Sequence, residues 1–198
     1  MTAKELKILC ETYKNYSTLI KMKYGQKPIT SIQFNDATLT IVYNDTSSIE
    51  INPETLDEFY IVLCNGALYL SYGLNNVGNT GKYDSGKIQL GQGTLAQSAF
   101  FYNFDDAEAV AKEANTHMNK KYNSVVYKVK INVDKLADFK QVSARSGETV
   151  VVPAIVVNEE FTRTCTFGAM DYQGQKQPDF SAYKEYFTRL GNGIPVKQ

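Results

Sequence analysis

Apolar residues recur at helical spacing, with capping residues in front of them, in four parts of the chain. The first part opens with Thr2 and Glu5, which have the spacing of a capping box. In the second, Asn52 precedes Pro53 at the first helical position, and in the third Asp105 is the expected cap. The sequence therefore predicts helices over residues 2–23, 53–65, 105–119 and 178–190.

Between these parts, apolar and polar residues alternate with the period of a half-buried strand. The stretch from 31 to 52, SIQFNDATLTIVYNDTSSIEIN, contains three alternating runs. Asn35-Asp36 and Asn44-Asp45 separate these runs with residues that are typical of turns. The pattern predicts a three-stranded meander.

Two later stretches also predict strands. Residues 124–133, SVVYKVKINV, have one apolar face and a second face, with Val126 and Lys128, that should be mostly exposed to solvent. Residues 149–157, TVVVPAIVV, are apolar on both faces, which favours a central strand. Pro153 has no N–H group for a ladder, so a bulge or a sheet edge is expected there.

Strands outnumber helices along the chain and do not alternate with them as regular βα units. The predicted fold class is therefore α+β, with mixed, largely antiparallel sheets and about four helices. We expect a single domain over residues 1–198, in which 1–51 form an N-terminal helix plus the meander and 178–190 form a C-terminal helix. The sequence leaves open whether 1–51 is a separate lobe.

Charge and hydropathy limit the classes of partner. Lys and Arg number 21, as do Asp and Glu, so the formal net charge is zero and nucleic-acid binding is disfavoured. The apolar runs are too short to cross a bilayer, and the first residues, MTAKELKILC, lack the apolar core of a signal peptide. We therefore expect a cytoplasmic protein with no membrane partner.

The cysteines and the single histidine do not have the spacing of a metal site. Cys10, Cys64 and Cys165 lie far apart, and the sequence has no Cys-X-X-Cys pattern. Cys10 and Cys64 fall on the apolar stripes of predicted helices, so we expect reduced and buried thiols. His117 falls in a polar helix end and is expected in solvent. No metal cofactor is predicted.

The stretch from Tyr72 to Thr94 contains six glycines in a polar context, which predicts a long loop. Such a loop is either a mobile surface excursion or a lid beside a site. We expect it to be the least ordered internal segment and to border the principal pocket. Its GQGTLA has the spacing of a dinucleotide-binding fingerprint, but an aromatic strand follows where that site requires a helix. A Rossmann-type site is therefore not predicted.

Four stretches, taken in order, resemble the core of the ADP-ribosyltransferase-like fold. They are ALYLSYG at 67–73, AFFYNFDDAEAVAKEA at 99–114, SVVYKVKINV at 124–133 and GETVVVPAIVV at 147–157, so the resemblance covers about 67–157. In that family an aromatic step leads directly into a helix, and a glutamate stands before a late hydrophobic strand that contains proline. Phe101 and Tyr102 match the aromatic step. Glu148 matches the glutamate.

The resemblance implies that NAD is the substrate and that no metal is needed. Glu148 would be catalytic: it would hydrogen-bond a ribose hydroxyl and stabilise the cationic ribosyl centre that forms as the bond to nicotinamide breaks. Tyr102, or Phe101, would stack on nicotinamide. The alternative for Glu148 is a solvated turn residue in SARSGET, and the alternative for both aromatic residues is ordinary core packing.

The resemblance also assigns nucleotide binding to three further residues. Tyr69 and Ser71 would line the opposite wall of the pocket, on a strand beside the one that follows Glu148, and Ser98 would supply a hydroxyl group. The chain departs from the family pattern here, because Leu70 and Ser71 stand where the family has His or Arg after the tyrosine. A relative that binds a nucleotide without catalysis is therefore an alternative within the same family.

A different class of function is a non-enzymatic binding or inhibitor protein, of the kind that a phage or other mobile element carries, which contacts a host protein through its surface. The chain has 14 Tyr and no Trp, and tyrosine gives a large contact area at low entropic cost. The partner is then a protein target and not a nucleotide-like small molecule. Stabilisation of the fold by NAD would distinguish the two classes.

Overall fold

Contacts between the elements divide the chain into two units, one of which is discontinuous in sequence. The computed structural model describes residues 1–65, 70–71, 93–94, 99–117, 123–146, 150–157, 164–165 and 184–197. The first unit consists of Met1–Glu58 with Asn132–Ala137, and the second of Phe59–Ile131 with Asp138–Gln198.

The first unit contains helices and a three-stranded sheet. Its helices are α1 (Ala3–Thr12) and α2 (Lys14–Tyr24), and its strands are β1 (Ile29–Phe34), β2 (Leu39–Tyr43) and β3 (Ser48–Ile51). β2 lies between β1 and β3, and both pairs are antiparallel. Leu39, Ile41 and Tyr43 of β2 are buried while the residues between them are partly exposed, so the predicted meander is confirmed.

The helix predicted over 2–23 is confirmed, with an interruption. The Thr2 side chain accepts a hydrogen bond from the N–H of Glu5, and the Glu5 carboxylate accepts one from the N–H of Thr2, which completes the capping box. Tyr13 has extended backbone angles and separates α1 from α2. No glycine or proline stands near this position, so the apolar periodicity predicted one continuous helix and gave no sign of the break.

The helix predicted over 53–65 is wrong. The Asn52 side chain does act as a cap, because its oxygen accepts a hydrogen bond from the N–H of Glu54 at 2.9 Å. Only one 3-10 turn, Pro53–Thr55, follows this cap. The chain then forms strand β4, Glu58–Asn65.

The reason for this error is that β4 is buried on both sides. Ile61 and Val62 are neighbours in the sequence, so they point to opposite faces of the sheet, and both are buried. A strand without a polar face gives no alternation, and its apolar run also fits helical spacing. The local pattern fits a helix and a strand equally well, and burial on both faces of the sheet makes this segment a strand.

The second unit contains one long helix, α3 (Phe104–His117), and an antiparallel sheet. Its strands are β4, β5 (Leu70–Ser71), β7 (Ala99–Phe101), β8 (Asn123–Ile131), β9 (Phe139–Ser146), β10 (Val150–Val157) and β12 (Phe187–Pro195). The order is β12-β8-β4-β7-β10-β9, with β5 paired to β4. Two short strands, β6 (Gly93–Thr94) and β11 (Thr164–Cys165), pair separately. The predicted α+β class with antiparallel sheets is confirmed.

The helix predicted over 105–119 is confirmed, but Asn103 caps it and not the predicted Asp105. α3 begins at Phe104, and Asn103 accepts a hydrogen bond from the N–H of Asp106 at 2.8 Å and donates its side-chain amide to the Asp106 carboxylate at 2.9 Å. Asn103 therefore takes the role expected of Asp105. Residues 118 and 119 lie outside the described part.

α3 packs on one face of the sheet, and this face was predicted to be wet. Val126 is fully buried in a cluster with Ala107, Val110 and Ala111 of α3, so the solvent exposure expected for Val126 is wrong. On the other face of β8, Tyr127 is also buried, as predicted. Lys130 is exposed, as the pattern predicted, but the pattern could not show where a helix would cover the sheet.

Pro153 lies just before the segment of β10 that pairs with β7. β10 pairs with β9 along its whole length, but with β7 only from Ala154 to Val156. The missing N–H group of Pro153 thus falls at the end of the β7 ladder, which agrees with the predicted edge character at this position.

The C-terminal helix predicted over 178–190 is wrong from Phe187 onward, and residues 178–183 lie outside the described part. β12 pairs antiparallel with β8, with Phe187 opposite Ile131. Gly193 lets the backbone approach closely, because a Cβ atom there would lie 2.6 Å from the Tyr127 ring. The apolar spacing suited a helix, but pairing with β8, which is remote in sequence, makes the segment a strand.

Candidate functional site

The candidate site is built around the end of β7, where the chain turns into α3. Phe101, the last residue of β7, is opposite Tyr60 of β4 on one side and Ala154 of β10 on the other. Only Tyr102 and Asn103 separate the strand from the helix. Because all three residues of β7 are buried, packing on both faces fixes the point at which Tyr102 leaves the sheet.

Tyr102 is largely enclosed by the second unit. Its side chain is 8% exposed, and its ring centroid lies 5.6 Å from that of Phe59, with the planes tilted by 55°. The Tyr102 hydroxyl accepts a hydrogen bond of 3.2 Å from the Nε2 group of Gln141. Since Gln141 is an exposed residue of β9, the phenol oxygen lies where the buried aromatic face meets the surface.

This environment keeps the Tyr102 hydroxyl protonated. Burial raises the pKa of Tyr102, and the hydrogen bond from Gln141 opposes that rise. A neutral phenol that already accepts a hydrogen bond from an amide can donate its own proton to a carbonyl or hydroxyl oxygen of a ligand. Tyr102 can therefore offer a ligand a hydrogen bond and the edge of its ring. The face of the ring is less accessible, because it packs against Phe59.

Phe101 contacts a different set of residues from Tyr102. It is 1% exposed and belongs to the apolar cluster beneath α3, together with Ala154 and Val156 of β10. Tyr60 and Phe104 meet edge to face at 5.9 Å beside this cluster. Of the two aromatic candidates, Tyr102 is thus the one that reaches toward the surface.

The other predicted site residues are less fully described. Ser71 lies in β5, opposite Leu63 of β4. Tyr69, Ser98 and Glu148 lie outside the described residues, as does most of the glycine-rich stretch from 72 to 94. Their roles remain predictions.

One expectation about the strands is wrong. The strand that follows Glu148 was expected to lie beside the strand of Ser71. In the described sheet β10 lies between β7 and β9, whereas β5 pairs with β4. The sheet therefore brings β10 next to Phe101 and Tyr102, and not next to Ser71.

Sequence reasoning missed Gln141, the partner of Tyr102. Gln141 lies opposite Ile155 of β10, and Ile155 lies opposite Phe100 of β7, so the Tyr102 side chain crosses β10 to reach it. The segment FKQVSARS has only two large apolar residues, and its alternation was too weak to predict β9. Even with the strand assigned, this contact depends on a sheet order that local patterns do not contain.

The described thiol does not offer a nucleophile. Cys10 is a free, partly buried cysteine of α1, and burial raises its pKa to about 11, so the thiol is protonated at neutral pH. Cys64 lies in strand β4 and not on the stripe of a helix as predicted. Within the described ranges, no group of three or more His, Cys, Asp and Glu side chains could hold a metal ion. Among the helices described here, none is long and apolar enough to cross a membrane.

No protein-family model, curated protein or solved structure matches the chain.

Proposed function

We propose that the chain is an ADP-ribosyltransferase-like protein that binds NAD, or a related nucleotide, beside Tyr102. The observation that carries the proposal is the path of the chain through β7, Tyr102 and α3. A short buried strand ends in two aromatic residues and enters a capped helix within two residues, in the order that the resemblance implies. One of the two neighbours of this strand is β10, the strand that follows Glu148.

The chemistry requires a carboxylate and a shielded pocket. In ADP-ribosyl transfer the bond between the ribose C1′ and the nicotinamide nitrogen breaks, and its electron pair leaves with nicotinamide. A nucleophile attacks C1′ and then loses its proton. The Glu148 carboxylate stabilises the positive charge that develops on the ribose. Tyr102 donates a hydrogen bond and excludes water from one side of the ligand, because its ring is held against Phe59.

The test is the transfer of label from NAD. Purified protein is incubated with labelled NAD and a cell lysate, and the label on protein is measured for the wild type and for Glu148→Gln and Tyr102→Phe. We expect labelling by the wild type, loss of labelling with Glu148→Gln, and reduced labelling with Tyr102→Phe. Thermal melting with millimolar NAD is measured in parallel, because a ligand that binds only the folded state raises the melting temperature.

The control is Tyr13→Phe, which removes a hydroxyl group from another tyrosine, one that is 58% exposed in the first unit. It should leave both labelling and melting unchanged. If NAD raises the melting temperature but no label is transferred, the protein is a binding relative without catalysis. If NAD neither stabilises the wild type nor donates label, the proposal is wrong.

A second candidate is a binding protein that acts by surface contact. The observation that favours it is the exposure of two large side chains close together in sequence on the first unit, Ile8 at 54% and Tyr13 at 58%. Exposed aromatic and aliphatic side chains are frequent anchors in protein interfaces. This candidate predicts that Ile8→Ser and Tyr13→Ser abolish the effect of the protein on its target while the melting temperature stays the same.

A further inference from the structure

The open edge of the meander in the first unit borders a groove of about 570 Å³. One wall comes from the end of α2, with Lys21 and Gly25, and the other from residues 27–32 at the start of β1. The only strand that pairs with β1 within the described part is β2. Unlike β2, β1 has no buried residue, since all of its residues are partly or fully exposed.

The hydrogen-bond pattern shows which backbone groups of β1 do not face β2. The N–H of Asn35 donates to the carbonyl of Thr38 at 2.9 Å, so these two residues form a hydrogen-bonded pair at the hairpin end. In an antiparallel ladder such pairs alternate with non-bonded ones. With Phe34 opposite Leu39, the bonded pairs fall at Gln33 and Ser31. The N–H and C=O groups of Ile32 and Phe34 therefore point away from β2.

The charges along the groove favour an acidic ligand. Lys21 and Lys27 both line it, and the described lining residues include no carboxylate. Lys27 also forms an exposed ion pair of 2.8 Å with Asp45, which lies outside the lining. The remaining lining is largely apolar, from Pro28, Ile29 and Ile32.

The same features disfavour a second copy of the chain as the occupant. Two β1 edges paired in parallel would place Lys27 of one copy beside Lys27 of the other. In addition, the register shifts between Ile29 and Ser31, and such a bulge interrupts the regular ladder that two identical edges would need. An extended segment with carboxylates at one end meets neither obstacle.

We propose that this groove binds an extended acidic peptide segment of a partner protein, which adds to β1 as a fourth strand. The backbone of the segment pairs with Ile32 and Phe34, as in other cases of strand addition to a sheet edge. Its carboxylates lie near Lys21 and Lys27, and its β-branched side chains rest on Ile29 and Ile32. This site is separate from the one proposed for NAD.

The test uses two synthetic peptides and amide spectra of the full-length protein. The probe is acetyl-Asp-Glu-Val-Thr-Val-Thr-Val-amide, and the matched control carries Lys-Lys in place of Asp-Glu. On titration with the acidic probe we expect the amide signals of Ile32 and Phe34 to shift and their hydrogen exchange to slow. The amides of Ser31 and Gln33 already face β2, so their exchange should change little. The lysine peptide should bind at least about fivefold more weakly, and 0.5 M NaCl should reduce the difference.

Variants test the charge argument without touching the ladder. Lys21→Gln with Lys27→Gln should weaken binding of the acidic probe about fivefold. The control is Lys4→Gln with Lys14→Gln, which removes two exposed charges from the same unit and should leave the affinity unchanged. Absence of shifts at Ile32 and Phe34, or equal binding of both peptides, would overturn the proposal. The same shifts produced by raising the protein concentration without peptide would show a second copy as the occupant and would overturn it too.

Discussion

At the scale of single residues, the contact between Tyr102 and Gln141 is the most informative one in the candidate site. Burial raises the pKa of Tyr102, and the Gln141 amide lowers it by stabilising the phenolate. Because the folded pKa lies above the usual value of about 10, the unfolded chain releases this proton first. Tyr102 therefore favours the folded state below pH 10, and its contribution is lost as the pH rises above 10.

Replacing Gln141 with leucine should raise the pKa of Tyr102 further. The variant keeps a side chain of similar size but removes the N–H group that donates to the phenol oxygen. The measurement is a pH titration of the tyrosine ring signals by NMR, with Gln33→Leu as a control, because Gln33 is an exposed glutamine of β1. An unchanged or lowered pKa of Tyr102 in Gln141→Leu would show that this hydrogen bond does not form.

Lys23 is the second residue whose contacts are specific enough to test. Its ammonium group donates hydrogen bonds to the carbonyls of Thr55, Leu56 and Glu58, at 3.2, 2.9 and 2.6 Å. These carbonyls belong to the segment from the last residue of the 3-10 turn to the first residue of β4. A single charged side chain thus holds the segment that the sequence had predicted to be a helix.

We expect Lys23→Met to lower the free energy of unfolding by about 1–3 kcal/mol, because it leaves carbonyl groups without their charged donor. The matched control is Lys21→Met, which changes an exposed lysine of the same helix and should alter stability by about 0.5 kcal/mol or less. Urea unfolding of both variants provides the comparison. Equal effects of the two substitutions would contradict the role given to Lys23.

At the scale of elements, the sequence predicted correctly wherever a local signal was sufficient. Capping residues at Thr2 and the alternation of the meander both gave the right elements, and α3 begins within a residue of its predicted start. β4 and β12 were predicted to be helices because their apolar spacing suits both structures and only pairing with distant strands decides between them.

Tyr102 could be found from its local motif. Gln141 could not, because its contact depends on the order β7-β10-β9.

The start of α3 gives a test at this scale, because two residues compete for the role of cap. Asn103→Ala removes the side chain that bonds Asp106 and should lower stability by about 1 kcal/mol. Asp105→Ala removes only a charge near the helix N-terminus and should cost about 0.3–0.5 kcal/mol. Thermal or urea unfolding of the two exposed-site variants measures the difference. A larger loss of stability for Asp105→Ala than for Asn103→Ala would show that Asp105 is the cap, as the sequence predicted.

At the scale of the whole molecule, the two proposed sites belong to different units. The nucleotide site that we propose lies in the second unit, beside the neighbouring strands β7 and β10. The peptide groove lies in the first unit, along β1. With 21 basic and 21 acidic residues, neither proposed ligand is attracted by a net charge, so both proposals rest on local groups, Glu148 in one site and Lys21 in the other.

The measurement that tests the central claim most directly is hydrogen exchange of the full-length protein, followed by mass spectrometry, with and without millimolar NAD. The account predicts that NAD slows exchange in fragments that contain residues 99–104 and 139–157, around Tyr102 and β10, and leaves fragments from β1 unchanged. Binding orders the backbone it contacts, so protection should concentrate there. If NAD changes exchange nowhere in these fragments, the nucleotide site beside Tyr102 does not exist.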